Sequence, residues 1–171
     1  MIIRLFYFFL LMTVQNNEID SFLGRHIEDI PYEVNLLDSI GFGNEKIYSI
    51  LNINGEKFYS KPLKNVIIYV DETNIIKKVY TDFKGSFDSK FYNSIVDKYG
   101  LPTSISRRVN EKQLESEEIE GTILTETTGT LVECELKDNP DLIIWDSLNI
   151  KLTFIIIDEL DKIELVMEIN K

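Results

Sequence analysis

The chain has 171 residues, 44% hydrophobic and 27% charged, an ordinary globular composition that excludes a disordered chain. Its formal net charge of −11 opposes binding to nucleic acid, whose phosphates would repel it. One cysteine excludes an intrachain disulfide, and that cysteine with the single histidine cannot furnish a zinc site.

Arg4 precedes an apolar run, Leu5 to Val14, that ends abruptly at Gln15-Asn16-Asn17-Glu18. A positive residue, a short apolar core and a polar switch form the pattern of a secretory signal peptide. The run is short for a spanning helix, which needs about twenty residues. Its end resembles bacterial export signals that finish in a Gln-Asn pair. Residues 1–16 are therefore expected to be a signal peptide, with an anchor or a buried N-terminal element as the alternatives. Residues 17–171 are expected to form one domain, divisible into halves 17–85 and 86–171. The product would be periplasmic or secreted, with no stable membrane span after cleavage.

Ile19, Phe22, Leu23, Ile27 and Ile30 recur at helical spacing before Pro31, which predicts a short amphipathic helix. His26 falls on the edge of its stripe and reads as a partly buried structural histidine. Residues 32–45 read as irregular. Asn54-Gly55 accepts positive φ at both positions and predicts a hairpin between 46–53 and 56–60. Asn65 to Val70 reads as a strand buried on both faces, Asp71 to Asn74 as a turn, and Ile75 to Phe83 as the returning strand. Phe91, Ile95 and Tyr99, with Tyr92 and Val96, form the stripe of a second helix from Asp88 to Tyr99. Asp88 is its N-cap, Phe87 and Tyr92 its staple, and Gly100 its C′ residue, with Leu101 placed to cover Val96.

A strand is expected from Ser104 to Val109. Glu111 to Gly121 then holds five glutamates against one lysine and reads as a mobile surface loop, with a frayed helix as the alternative. Glu111, Glu115, Glu117, Glu118 and Glu120 are its candidate contacts for a basic protein. Strands follow at Thr122 to Thr127 and Thr130 to Leu136, joined across Thr128-Gly129. The second of these places Cys134 in the core beside Val132 and Leu136. Leu142 to Trp145, Asn149 to Ile157 and Lys162 to Ile169 complete the sheet, with Trp145 in the core or at its rim. The expected fold class is α+β: a mostly antiparallel sheet of several hairpins with two short amphipathic helices packed on one face. Helix-then-sheet order occurs twice, which raises a helix-plus-sheet pseudo-repeat.

Charge is unevenly placed. Residues 1–85 carry 9 basic and 11 acidic side chains, whereas residues 86–171 carry 9 and 18. A basic partner would be steered to the second half, although an acidic surface kept for solubility is the plainer reading. Neither a phosphate loop nor a nucleophile motif occurs, and Asp138 to Asp141 and Asp158 to Asp161 read as turns, not calcium loops. No catalytic residue, cofactor or metal is expected.

The run Phe91 to Pro102 resembles a pattern in small uncharacterised bacterial envelope proteins, in which an amphipathic helix ends in Tyr-Gly-x-Pro and antiparallel strands follow. The order of elements also resembles β-lactamase-inhibitor-like periplasmic modules. Both resemblances imply a binding or inhibitory module. The expected function is a non-catalytic exported interaction module of the bacterial cell envelope. One alternative is an acidic immunity or inhibitor protein that neutralises a basic toxin or enzyme; the other is a carboxylate-dependent hydrolase.

Overall fold

In the computed structural model the described residues are 19–38, 45–53, 55–119 and 122–170, and among them one α-helix and eleven strands form. The strands are β1 (Val34–Asp38), β2 (Lys46–Ile50), β3 (Lys57–Phe58), β4 (Lys61–Pro62), β5 (Val66–Val70), β6 (Ile76–Lys84), β7 (Ser104–Ile119), β8 (Thr122–Glu133), β9 (Leu142–Asp146), β10 (Ile150–Ile157) and β11 (Lys162–Ile169). Helix α1 (Ser89–Tyr99) lies between β6 and β7 in the chain. Nine strands make one antiparallel sheet in the order β1-β2-β5-β6-β11-β10-β9-β7-β8, while β3 and β4 pair separately. At its centre β6 pairs with β11, from Lys84↔Lys162 to Lys78↔Glu168.

The architecture is mostly β, which corrects the expected α+β packing of two helices. Ile19 to Ile30 does not form a helix. It makes two 3-10 turns, Ile19–Phe22 and Ile27–Asp29, separated by Gly24 at φ 79°. Competition for backbone hydrogen bonds explains the difference. The Gly24 and Ile27 N–H groups donate to the Ile76 and Asn74 carbonyls, and the Arg25 carbonyl accepts from Ile76 N–H. The segment thus keeps only short bonds of its own, such as Leu23 N–H to Asp20 O and Arg25 N–H to Phe22 O, and spends the groups a longer helix would need on Asn74 and Ile76. Its apolar residues still reach the core, where Ile19 and Phe22 are each 1% exposed. With a single helix in the described chain, the helix-plus-sheet pseudo-repeat falls too.

Two hairpin details also differ. β2 is paired on both sides, by β1 and β5, and β3 pairs with β4, so no hairpin joins 46–53 to 56–60. β5 buries Val66, Ile68 and Val70 but leaves Ile67 and Tyr69 half-buried, so one face of the sheet is covered and not both. The covered face meets α1 and the two N-terminal turns. Its core holds Val79 and Phe83 of β6, Leu165 and Met167 of β11, Phe154 of β10 and Trp145 of β9. The Trp145 Nε1–H donates to the Gly100 carbonyl at 2.8 Å, which fixes the end of α1 over β9.

Helix α1 follows its local signals closely. The Asp88 side chain accepts from Phe91 N–H at 2.9 Å, Gly100 at φ 79° donates to Val96 O, and the Phe87 and Tyr92 rings meet at 6.4 Å. Leu101, expected to cover Val96, is 78% exposed. Replacing Asp88 by alanine should cost about 1 kcal/mol at neutral pH. The bonds from Phe91 N–H and then Lys61 hold the Asp88 carboxyl below its usual range. A carboxylate whose folded pKa is depressed stabilises fully above its unfolded pKa of about 4 and loses that contribution as pH falls. The deficit of Asp88→Ala should therefore shrink in thermal melts between pH 7 and pH 3. A deficit equal at both values would contradict the cap.

Candidate functional site

The feature that stands apart from this body is the pair β7–β8. β9 holds β7 only over Ser104↔Ile144, Ile105↔Ile143 and Ser106↔Leu142. Beyond Ser106, β8 is the one strand among the described residues that pairs with β7, as far as Ile119↔Thr122. Residues 107–119 and their partners thus form a two-stranded ribbon, which at about 3.3 Å per residue would reach roughly 40 Å if straight. A lone two-stranded ribbon has little apolar surface to bury and contributes little stability of its own.

Its root is built with care. Where β9 runs out, Asp141 takes over the next strand's bonding: its carboxylate accepts from Arg108 N–H at 2.5 Å, and its own N–H donates to Ser106 O at 3.0 Å. Between Val109↔Thr130 and Lys112↔Thr128 the strand bulges, so Asn110 and Glu111 stand opposite Gly129, with Asn110 at φ 56°. A Cβ on Gly129 would lie 2.3 Å from the Arg108 Cγ, so only glycine lets that arginine stem cross the ribbon. A second irregularity falls between Gln113 and Glu115. Bulges bend a ribbon and increase its twist.

The ribbon corrects the expectation of a mobile loop at 111–121 followed by separate strands at 122–127 and 130–136. Glu111 to Ile119 continues β7, and the turn expected at Thr128-Gly129 lies inside β8. Alternation along 111–119 is masked by glutamates, whose charge signals a solvated loop but does not forbid an exposed strand. Glu111 is exposed and meets Arg108 at 3.4 Å. Glu115 is in register with Glu126, Glu117 with Leu124, and Glu118 with Ile123. Glu120, the fifth candidate, lies outside the described residues. From Glu111 to Glu126 the sequence holds six glutamates and one lysine, a net charge of −5. The Glu115–Glu126 register sets like charges at opposing positions, an arrangement that weakens a ribbon.

Cys134 is not in a strand core. β8 ends at Glu133, and Cys134 is half-buried at the foot of the arm, in a cleft shared with Leu101, Pro102 and Ile105. Burial first, then the carboxylates of Asp138 and Asp141, push its thiol up, which opposes a thiolate nucleophile. His26 caps the second N-terminal turn, its Nδ1 accepting from Glu28 N–H at 3.4 Å. No group of three or more potential metal ligands occurs among the described residues.

One cluster had no sequence motif to announce it. On the uncovered sheet face Lys162 Nζ lies 2.6 Å from Glu164 and 4.0 Å from Asp82, whose other oxygen accepts from Asn65 N–H and Nδ2. The hydrogen bond to Glu164 raises the Lys162 ammonium pKa, and burial followed by the Glu164 charge raises that of Tyr80. Beside it, Lys78, Glu168 and Lys151 form a charged row across three strands. Each acid here is matched by a lysine on the same or a neighbouring strand. Only the β6–β11–β10 order, invisible in the sequence, brings them together.

No family model, curated protein or solved structure matches the chain. Geometry alone therefore carries the functional reading. The acids of the open sheet face are neutralised in place, whereas those of the arm are concentrated along a ribbon that leaves the body.

Proposed function

We propose that the protein is a non-catalytic exported binding module whose β7–β8 arm engages a basic protein partner. One observation carries this reading: the ribbon leaves the sheet at Ser106, and its outer part has a net charge of −5. Ribbon bonding fixes the backbone, so the glutamates are carried on a shaped support and not on a loop that must be ordered on binding. A concentrated charge of one sign steers an oppositely charged protein and speeds its association.

The acidic immunity or inhibitor reading is the form of this proposal in which the basic partner is a toxin or enzyme. A projecting arm favours it, since a ribbon can enter a cleft that a flat sheet face cannot. Lysine-paired carboxylates on the body and a thiol held protonated support a non-catalytic role. Export rests on the pattern of residues 1–16 and on the resemblance noted for it.

A pull-down at graded salt tests the proposal. Wild-type protein should retain a basic protein at low ionic strength and release it as salt rises. Recovery of no partner at low salt, or retention that ignores salt, would rule out recognition by the arm's charge.

A further inference from the structure

Antiparallel strands direct their hydrogen-bonding groups alternately to the two sides, and the alternation in β8 can be read from its root. Cys134 N–H donates to Ile105 O. Counting inward along the register, Val132 exchanges bonds with Arg107 and Thr130 with Val109. The intervening residues Leu131 and Glu133 must then turn their N–H and C=O groups outward. β7 shows the same alternation on its own far side, where Ser106 and Arg108 face Asp141. β8 is the last strand of the sheet among the described residues, so these outward groups lie on an edge with no further strand there.

Natural sheets blunt such edges with short strands, bulges, lysine or proline. The opposite edge follows that rule, for β1 has five residues and an irregularity between Leu36 and Asp38. β8 follows it less: the two irregularities of its pairing put their extra residues in β7, and β8 itself runs for twelve residues, Thr122–Glu133, without lysine or proline, five of them threonine. Leu131 is 50% exposed and Val132 36% exposed on its two faces. High β-propensity, apolar side chains on both faces and outward backbone groups with no strand partner among the described residues together describe a receptor for an added strand.

We propose that this edge of β8, centred on Leu131 and Glu133, receives an extended basic segment of the partner protein as a tenth strand. The inference rests on the arm reading above and adds the mode of contact. Charge selects the occupant. A second copy would bring another chain of net charge −11 alongside, whereas a lysine-bearing strand would match the glutamates of the arm. Backbone bonds would supply register, and alternate side chains of the added strand would meet Leu131 or Val132 according to its phase.

The test uses a fluorescent peptide of about ten residues that alternates lysine and valine, long enough for a typical strand. It is compared with the same peptide N-methylated at every residue, which keeps the charge but has no backbone donors. Anisotropy at low salt should show binding of the first and at least about tenfold weaker binding of the second, the loss expected from removing one or two backbone bonds. Leu131→Pro should give a comparable loss, because its ring removes an outward N–H and obstructs the edge. The methylated peptide leaves the protein unaltered, so a fold defect in that variant cannot decide the outcome. Equal binding of both peptides, abolished by Glu115→Lys, Glu117→Lys and Glu118→Lys together, would overturn strand addition and leave the arm reading standing. Binding of neither peptide, or binding indifferent to those three changes, would overturn both.

Discussion

Replacing Phe91 by alanine is expected to destabilise the fold by about 3–5 kcal/mol, the range for a large aromatic removed from a packed core. Phe91 is fully buried, and its ring centroid lies 5.2 to 6.4 Å from those of Phe87, Phe83, Phe154 and Phe58. These four come from the segment before α1, from β6, from β10 and from the separate β3–β4 pair. One side chain therefore links helix, sheet and satellite hairpin. In a chain of this length such a loss lowers Tm by roughly 10 °C. Phe91→Leu should cost less because it refills part of the space. Urea unfolding checks both values, with the m-value unchanged if only stability moves. A Phe91→Ala cost below about 1 kcal/mol would mean the core is not organised around this ring.

The second large effect concerns binding. Changing Glu115, Glu117 and Glu118 to lysine turns the net charge of residues 111–126 from −5 to +1, since each change moves it by two. Association with a basic partner at low salt should slow by on the order of 10²-fold, within the range known for electrostatic steering. The effect should fade as the Debye length shortens to about 3 Å in 1 M salt. Folding should respond in the opposite sense. Removing the Glu115–Glu126 opposition relieves like charges in register, worth about 0.2–1 kcal/mol to the ribbon. A variant at least as stable as wild type yet slow to bind would separate the arm's charge from its fold. Unchanged association kinetics would deny the glutamates any part in recognition.

Much of the body is legible in the sequence, and the reasons are local. Asp88, Phe87, Phe91 and Gly100 each act within a few residues of one another, so cap, staple, stripe and stop can be read from spacing. The β5–β6 and β10–β11 hairpins are equally readable, because apolar alternation and turn residues sit side by side. What escapes is decided at a distance. Ile19 to Ile30 has helical spacing, but the backbone groups of Gly24, Arg25 and Ile27 bond to Asn74 and Ile76, partners that no window around it contains. The arm escapes for another reason. Glutamates at 111, 115, 117, 118 and 120 carry the composition of a solvated loop, and only pairing with Thr122–Glu133 makes 111–119 a strand. Gly129 has the look of a turn glycine; it is needed where the Arg108 stem crosses the ribbon. Charge alone points to the candidate glutamates, while the support that carries them, and the Asp82–Lys162–Glu164 group on the open face, depend on strand order.

The division of labour between body and arm can be measured in one shortened chain. Val109 and Thr130 are register partners at the root, so residues 110–129 can be replaced by Asn-Gly, whose turn joins two paired strands directly. The body keeps its helix, its core and every strand from β1 to β6 and β9 to β11. Its Tm should stay within a few degrees of wild type, as expected when a ribbon with little buried surface is removed. Salt-sensitive retention of the basic partner should be lost at the same time. Retention equal to that of the full chain, by a protein equally well folded, would contradict recognition by the arm.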